Sequence, residues 1–226
     1  MGRPELFKKA LQNIYSTIST NNFLILVSAD TNDLSMNNDG MIEYLKSCHN
    51  LQYHFGDSES KIHAINRDMD KSGEWDILVN MSDDMHFVKE GWDLNIERDT
   101  KAVWGDSLDW FAHYNDGYVM DALPTLSIMG RKYYERDNYI YHPSYKSFSS
   151  DAEAMYVAMM REKHHYFSDV LFKHQHPAWI GIPNDETYRK NSLATDHDTA
   201  VYWHRLRNYF FEPFDETTPI PYNQFI

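Results

Sequence analysis

Two adjacent carboxylates, Asp83 and Asp84, close the stretch W-D-I-L-V-N-M-S-D-D-M over residues 75–85. The apolar run Ile77, Leu78 and Val79 ahead of them has the composition of a buried strand. A buried strand could not itself carry two unpaired carboxylates. A strand that stops at such a pair suits a divalent cation at the carboxyl edge of an open α/β sheet, where ligands bind. Hard cations such as Mg²⁺ and Mn²⁺ take oxygen donors. The competing reading is a polar turn that caps the next helix. His174 and His176, two residues apart after the short apolar segment 170–172, could bring an imidazole from a distant part of the chain. Such a mixed oxygen and nitrogen shell suits Mn²⁺. Only one of the two is expected to serve the site, and either is otherwise an ordinary polar or hydrogen-bonded histidine.

Asp151 and Glu153 stand at the opening of a helical pattern. There a carboxylate can cap the helix and meet its dipole, or act as a general base that deprotonates an incoming hydroxyl. Asp30, Lys61 and Asn66 fall at the end of a strand and along a later helix. They could read a base, a diphosphate and a ribose, or be ordinary loop and helix-face residues. The chain contains no G-x-G-x-x-G and no Walker-type loop, which disfavours dinucleotide redox chemistry and P-loop phosphoryl transfer. Aromatics at 133–145 and Trp179 could stack on a sugar or a base, although each alone is more often core.

The elements that must position these groups follow from periodicity. Pro4 and Glu5 suit a first helical turn, with Leu6, Phe7, Ala10, Leu11, Ile14 and Ile18 on one face. Residues 23–27 read as a buried strand closing on Ser28, Ala29 and Asp30. Asn37, Asn38 and Asp39 can cap a helix, 51–55 alternates as a strand, and Ser58 and Ser60 open a helix through Met69. Beyond Asp84, strands are expected at 102–104, within 122–129 and at 170–172, and helices at 152–160 and 198–211. Gly91 and Trp92 precede a short helix or turn. This alternation predicts an α/β fold with a doubly wound, mostly parallel sheet flanked by helices.

With 226 residues the chain is most simply one domain, and no apolar run reaches the length of a membrane span. Its single cysteine, Cys48, excludes an internal disulfide framework and fits a reducing compartment, so a cytoplasmic protein is expected. Cys48 sits late in an amphipathic helix and reads as a small packed side chain. The net charge of −13, from 34 acidic against 21 basic residues, lowers the prior for a duplex-DNA binder.

Taken together, these segments resemble the GT-A glycosyltransferases, in particular small family 2-like members of bacteria and their viruses. The resemblance runs through R-P-E-L-F at 3–7, S-A-D at 28–30, K-I-H-A-I-N-R at 61–67 and W-D-I-L-V-N-M-S-D-D-M at 75–85. It continues through G-W-D at 91–93, Y-H-P-S-Y at 141–145, D-A-E at 151–153 and H-Q-H-P-A-W at 174–179. It implies a nucleotide-sugar-binding half over 1–100 and an acceptor-binding half over 101–226. Asp30 would face the nucleobase with Ser28 beside it, Lys61 and Asn66 would lie by the nucleotide, and Asp83 near the ribose. Asp84 would hold Mn²⁺ or Mg²⁺ with a late histidine, His176 preferred over His174. Asp151 would be the base of an inverting displacement, with Glu153 its rival. Family members carry a strand just before the R-P motif; here Arg3 and Pro4 follow Met1 and Gly2, and that first strand is missing from the expected sheet.

The function implied is metal-dependent transfer of a sugar from a nucleotide-diphospho-sugar, a UDP-sugar first, to an acceptor hydroxyl. The acceptor classes are a glycan, a protein or a modified nucleobase. Two alternatives use the same residues: a metal-dependent phosphodiesterase or nuclease, for which Asp196, His197 and Asp198 are a spare cluster, and a non-catalytic nucleotide-sugar-binding protein.

Overall fold

Pro4 sets the first turn of helix α1 (Pro4–Thr17), where its missing N–H has no helical partner to lose. In the computed structural model, which describes residues 3–176 and 186–211, this helix lies along strand β4 (Met85–Phe87). The side-chain amide of Asn13 fastens the two: its Nδ2 donates to the Phe87 carbonyl at 2.9 Å, and its Oδ1 accepts the Phe87 N–H at 2.7 Å. The far end of α1 is held by the G-W-D segment. Gly91 N–H reaches the Thr17 carbonyl at 2.8 Å, and the Asp93 carboxylate accepts the N–H groups of Ser19 and Thr20 at 3.0 and 2.7 Å. Gly91 has φ +68°, a left-handed conformation that a side chain would strain.

Strand β1 (Ile25–Asp30) pairs in parallel with β2 (Leu51–Gly56), with Ile25 opposite Leu51 and Asp30 opposite Gly56. Helix α2 (Asp39–Ser47) makes the crossover, capped by the Asn38 side chain accepting the Met41 N–H at 3.0 Å. Helix α3 (Lys61–Arg67) opens on Ser60, whose Oγ accepts the His63 N–H, and stops short of Met69, which belongs to a separate 3₁₀ turn. Cys48 caps the end of α2, half-buried.

Strand β3 (Ile77–Val79) is the edge of a four-stranded sheet of order β3-β6-β5-β7, where β5 is Phe111–Asn115, β6 Ile128–Gly130 and β7 His164–Val170. β5 and β7 are parallel, whereas β6 runs antiparallel to both β3 and β5. β4 pairs antiparallel with β8 (Phe172–His174). The α/β architecture with parallel pairs flanked by helices is thus present, and antiparallel pairs join its two halves. Glycine is required at 130, because a Cβ there would sit 2.2 Å from the Leu108 carbonyl oxygen.

Several segments differ from the expectation. Residues 102–104 are the last turn of α4 (Trp92–Trp104), not a strand, because Trp92, Ile96, Thr100 and Trp104 recur every four residues along one face. β5 was not foreseen: Phe111 to Tyr114 are all buried, so no alternation marks the strand. Segment 170–172 divides between β7 and β8 at Leu171. The late helix is α8 (Thr195–Leu206), after α7 (Glu186–Ser192), and positive φ values at Tyr209, Phe210 and Phe211 end it in a turn. Helices α5 (Arg131–Tyr134) and α6 (Ser150–Met160) are the remaining α-helices among the described residues. Trp179 and the prolines at 213, 219 and 221 lie outside the described residues. No helix among the described residues is long and apolar enough to cross a membrane.

Candidate active site

Asp84 stands one residue before β4, and antiparallel pairing with β8 brings the end of β8 beside it. The Gln175 N–H donates to the Asp84 carbonyl at 2.8 Å, and His174 Nε2 lies 3.5 Å from Asp84 Oδ1. Ser82 Oγ also donates to that Oδ1. The Asp84 side chain is buried, Asp83 less so, and Arg3 at the start of α1 reaches both: its Nε is 3.4 Å from Asp83 Oδ2 and its Nη1 3.7 Å from Asp84 Oδ2. The sheet pairing therefore joins a carboxylate from 75–85 to an imidazole ninety residues on in the chain.

His174 stands 3.5 Å from Asp84, and the Asp84 charge also acts on the preferred His176. The two rings lie together, with centroids 5.4 Å apart. The expectation that only one would serve the site overlooked that residues two apart on extended backbone share a face. Burial, and then His174, hold the His176 imidazole below its ordinary value, against the raising effect of Asp84; Lys61 and Arg3 also act on it. His174 Nδ1 is buried without a hydrogen-bond partner among the described residues.

Asp151 lies in the first turn of α6 and belongs to the same neighbourhood. Burial pushes its carboxyl above the ordinary carboxylate range, opposed by its hydrogen bond with the Ala152 N–H and by the charges of Lys61 and His174. Lys61 is exposed at the first position of α3. Glu153 points elsewhere. Its carboxylate is buried against Arg205 of α8, with contacts of 2.8–3.0 Å, and accepts the Tyr145 hydroxyl at 2.7 Å. Asp151 thus feels the charges of Lys61 and His174, and Glu153 braces α6 against α8.

The carboxyl edge of β1 holds a second cluster. Arg67, at the end of α3, donates Nη2 to the Ala29 carbonyl at 2.9 Å and Nη1 to Ser58 Oγ at 2.5 Å, and lies 3.6 Å from Asp30 Oδ1. Gly56 leaves room for it; a Cβ would come within 2.9 Å of the guanidinium carbon. Burial disfavours ionised Asp68, but hydrogen bonds from Arg67, Lys71 and Ser28 outweigh that and bring its carboxyl down to about 2. Ser28 therefore serves Asp68. Asp30 Oδ1 is buried beside Arg67 and accepts no hydrogen bond among the described residues. Arg67 is the residue that sequence reasoning missed here, one place beyond the Asn66 it chose.

Asn66 is turned away from a nucleotide role as a free amide. Its Nδ2 donates to the Tyr141 carbonyl at 2.7 Å, and its Oδ1 accepts the Ile140 N–H at 2.9 Å. The Tyr141 hydroxyl in turn meets Ser127 Oγ at 2.9 Å and Asn80 Nδ2 at 3.2 Å. These bonds tie α3 and the end of β3 to the Y-H-P-S-Y loop. Within the spare cluster Asp198 is committed: it is fully buried and accepts the N–H groups of Lys146, Ser147 and Phe148 at 2.7–2.9 Å, fixing the loop that leads into α6.

Among the described residues, no three His, Cys, Asp or Glu side chains already converge on a metal position. The donor chemistry of the Asp84–His174 pair nevertheless fits a divalent cation that takes mixed oxygen and nitrogen ligands, since a carboxylate oxygen and an imidazole nitrogen face each other.

No protein-family model matches the sequence, and no curated protein matches it. Among solved structures, the chain is similar to the mannosyltransferase PcManGT from Pyrobaculum calidifontis in complex with GDP-Man and Mn²⁺, with a TM-score of 0.63. The fold is GT-A-like. The match covers 98% of this chain at 14% identity, and the chain spans 64% of the length of that structure. At that identity the likeness speaks for the fold.

Proposed function

We propose that this chain transfers a glycosyl group from a nucleotide-diphospho-sugar to an acceptor hydroxyl, with inversion at the anomeric carbon. One observation carries the reading: Asp84 and His174 face each other at 3.5 Å, and Lys61, His176 and Asp151 fall in the same neighbourhood. The GT-A-like fold supports it, as does a structural neighbour whose description names GDP-Man and Mn²⁺. Asp84 with His174 or His176 would hold Mn²⁺ or Mg²⁺. When bound, the cation supplies Lewis-acid neutralisation of the leaving diphosphate.

The chain's own residues do the rest. Lys61 adds positive charge beside the diphosphate, and Asp83 lies toward the ribose. Asp30 accepts an N–H from the nucleobase at the carboxyl edge of β1, and Arg67, 3.6 Å from its Oδ1, holds that edge in place. Uracil and guanine both offer such an N–H, so a UDP-sugar and a GDP-sugar are both donors to test. Asp151 takes the proton of the acceptor hydroxyl as its oxygen bonds to the anomeric carbon and the bond to the diphosphate breaks. Its raised pKa brings it closer to the operating pH of a base. In this reading residues 1–100 supply most of the donor side, and 101–226 the metal's histidine, the base and the acceptor side.

Release of UDP or GDP from nucleotide sugars in the presence of Mn²⁺ tests the proposal. Asp84→Asn should abolish metal-dependent release, and Asp151→Asn should remove transfer while leaving nucleotide binding intact. Normal turnover in Asp84→Asn would overturn the metal assignment. Cleavage of simple phosphodiesters without any nucleotide sugar would overturn the transferase reading.

A further inference from the structure

We propose that Arg3 is a built-in counter-cation for the Asp83–Asp84 pair, and that a divalent cation must displace it to bind. The proposal rests on the metal reading above and adds a residue to it. Two neighbouring carboxylates, one of them buried, need compensating charge in the absence of a metal. Arg3 supplies it from a side chain only 16% exposed, 3.4 Å from Asp83 and 3.7 Å from Asp84. Both separations are longer than the roughly 2.7–2.9 Å of a charge-assisted hydrogen bond. In these two contacts the guanidinium spreads its charge across both carboxylates.

Its position is dictated by the fold. Arg3 is the N-cap residue of α1, and the Asn13–Phe87 amide clamp docks α1 along β4. From residue 3 to residue 13 the helix rises about 15 Å at 1.5 Å per residue. From Asp84 to Phe87 the strand advances about 10 Å at roughly 3.4 Å per residue. Helix and strand run the same way, and the Arg3 side chain spans the difference. It meets the carboxylate face at Oδ2 of Asp84, while Ser82 and His174 engage Oδ1.

A guanidinium so close to these oxygens and a doubly charged cation bound to them repel each other. Arg3 therefore weakens metal binding in the resting protein. Once displaced, its guanidinium can turn to the expected diphosphate, a group that arginine binds well. Metal and nucleotide binding are then coupled through Arg3, and the coupling is reciprocal.

The test is Mn²⁺ affinity, read by electron paramagnetic resonance of the free ion, for the full chain and its Arg3→Ala, Arg3→Gln and Arg3→Lys variants, with and without UDP or GDP. Without nucleotide, Arg3→Ala and Arg3→Gln should bind Mn²⁺ about tenfold tighter, or about 1.4 kcal/mol, and Arg3→Lys should stay near the parent. The nucleotide should raise Mn²⁺ affinity less in the two neutral variants than in the parent. Thermal melting confirms that each variant is folded, and Arg3→Gln provides the reading if Arg3→Ala is not. Equal or weaker Mn²⁺ binding in the neutral variants, with clear binding by the parent, overturns the role of Arg3 alone. Failure of parent and variants alike to bind Mn²⁺ overturns the metal reading and this proposal with it.

Discussion

Glu153→Gln separates the two carboxylates of D-A-E. In the folded chain Glu153 is 3% exposed and Arg205 9% exposed, and three contacts of 2.8–3.0 Å join them. The Tyr145 hydroxyl supplies a further hydrogen bond at 2.7 Å. Replacing the carboxylate by an amide leaves the guanidinium buried without its counter-charge, which costs about 3–5 kcal/mol for a buried pair. For a chain of this size each kcal/mol lowers Tm by roughly 2–4 °C, so the expected fall is about 6–20 °C. Thermal unfolding followed by circular dichroism measures it. Transfer assayed well below the lowered Tm should keep its turnover, because Glu153 braces α6 and does not face the site. A double change, Glu153→Met with Arg205→Met, should recover much of the loss, since apolar replacement of a buried pair is often neutral. An unchanged Tm together with lost turnover would refute the reasoning and return Glu153 to the role of base.

Asp151→Asn should do the opposite: it removes a carboxylate that burial destabilises, so Tm should rise while transfer is lost, and a fall in Tm would contradict the assigned burial cost. His113 and His164, 3.0 Å apart, are held by burial at about 3 and about 4, below the 6.5 of an open imidazole. They stay neutral in the folded chain where the unfolded chain protonates, so their contribution to stability is complete above pH 6.5 and falls as the pH drops toward 4. Urea unfolding at a series of pH values should show His164→Gln with a shallower decline, by up to about 1.4 kcal/mol per pH unit; an unaltered slope would contradict it. Gly130→Ala should prevent folding or lower Tm sharply, because its Cβ would meet a backbone oxygen at 2.2 Å; near-normal melting would show that Leu108 can move aside.

The parts of this molecule that could be read in advance are those whose signal is local. The strand ending toward Asp83 and Asp84, the capped helices α2 and α3, and the parallel β1–β2 pair all follow from runs and caps within a few residues. Side-chain direction was harder. Asn66 and Arg67 are neighbours in K-I-H-A-I-N-R, yet successive helical residues point about 100° apart. One therefore faces the 140–141 backbone and the other the β1 edge. Spacing alone could not choose between them. The same limit applies to D-A-E, where only the docking of α8 reveals that Glu153 is occupied by Arg205. Arg3 belongs to the R-P motif, but its meeting with Asp83 and Asp84 depends on how α1 lies along β4. β5 carried no alternation to detect because all but its last residue is buried.

Calorimetric binding of UDP and of GDP, with and without Mn²⁺, to the parent chain and to Asp84→Asn tests the central claim most directly. The account predicts that one of the two nucleotides binds, that Mn²⁺ strengthens the binding, and that Asp84→Asn loses the strengthening. Absence of binding by either nucleotide, or an effect of Mn²⁺ that survives in Asp84→Asn, would contradict it.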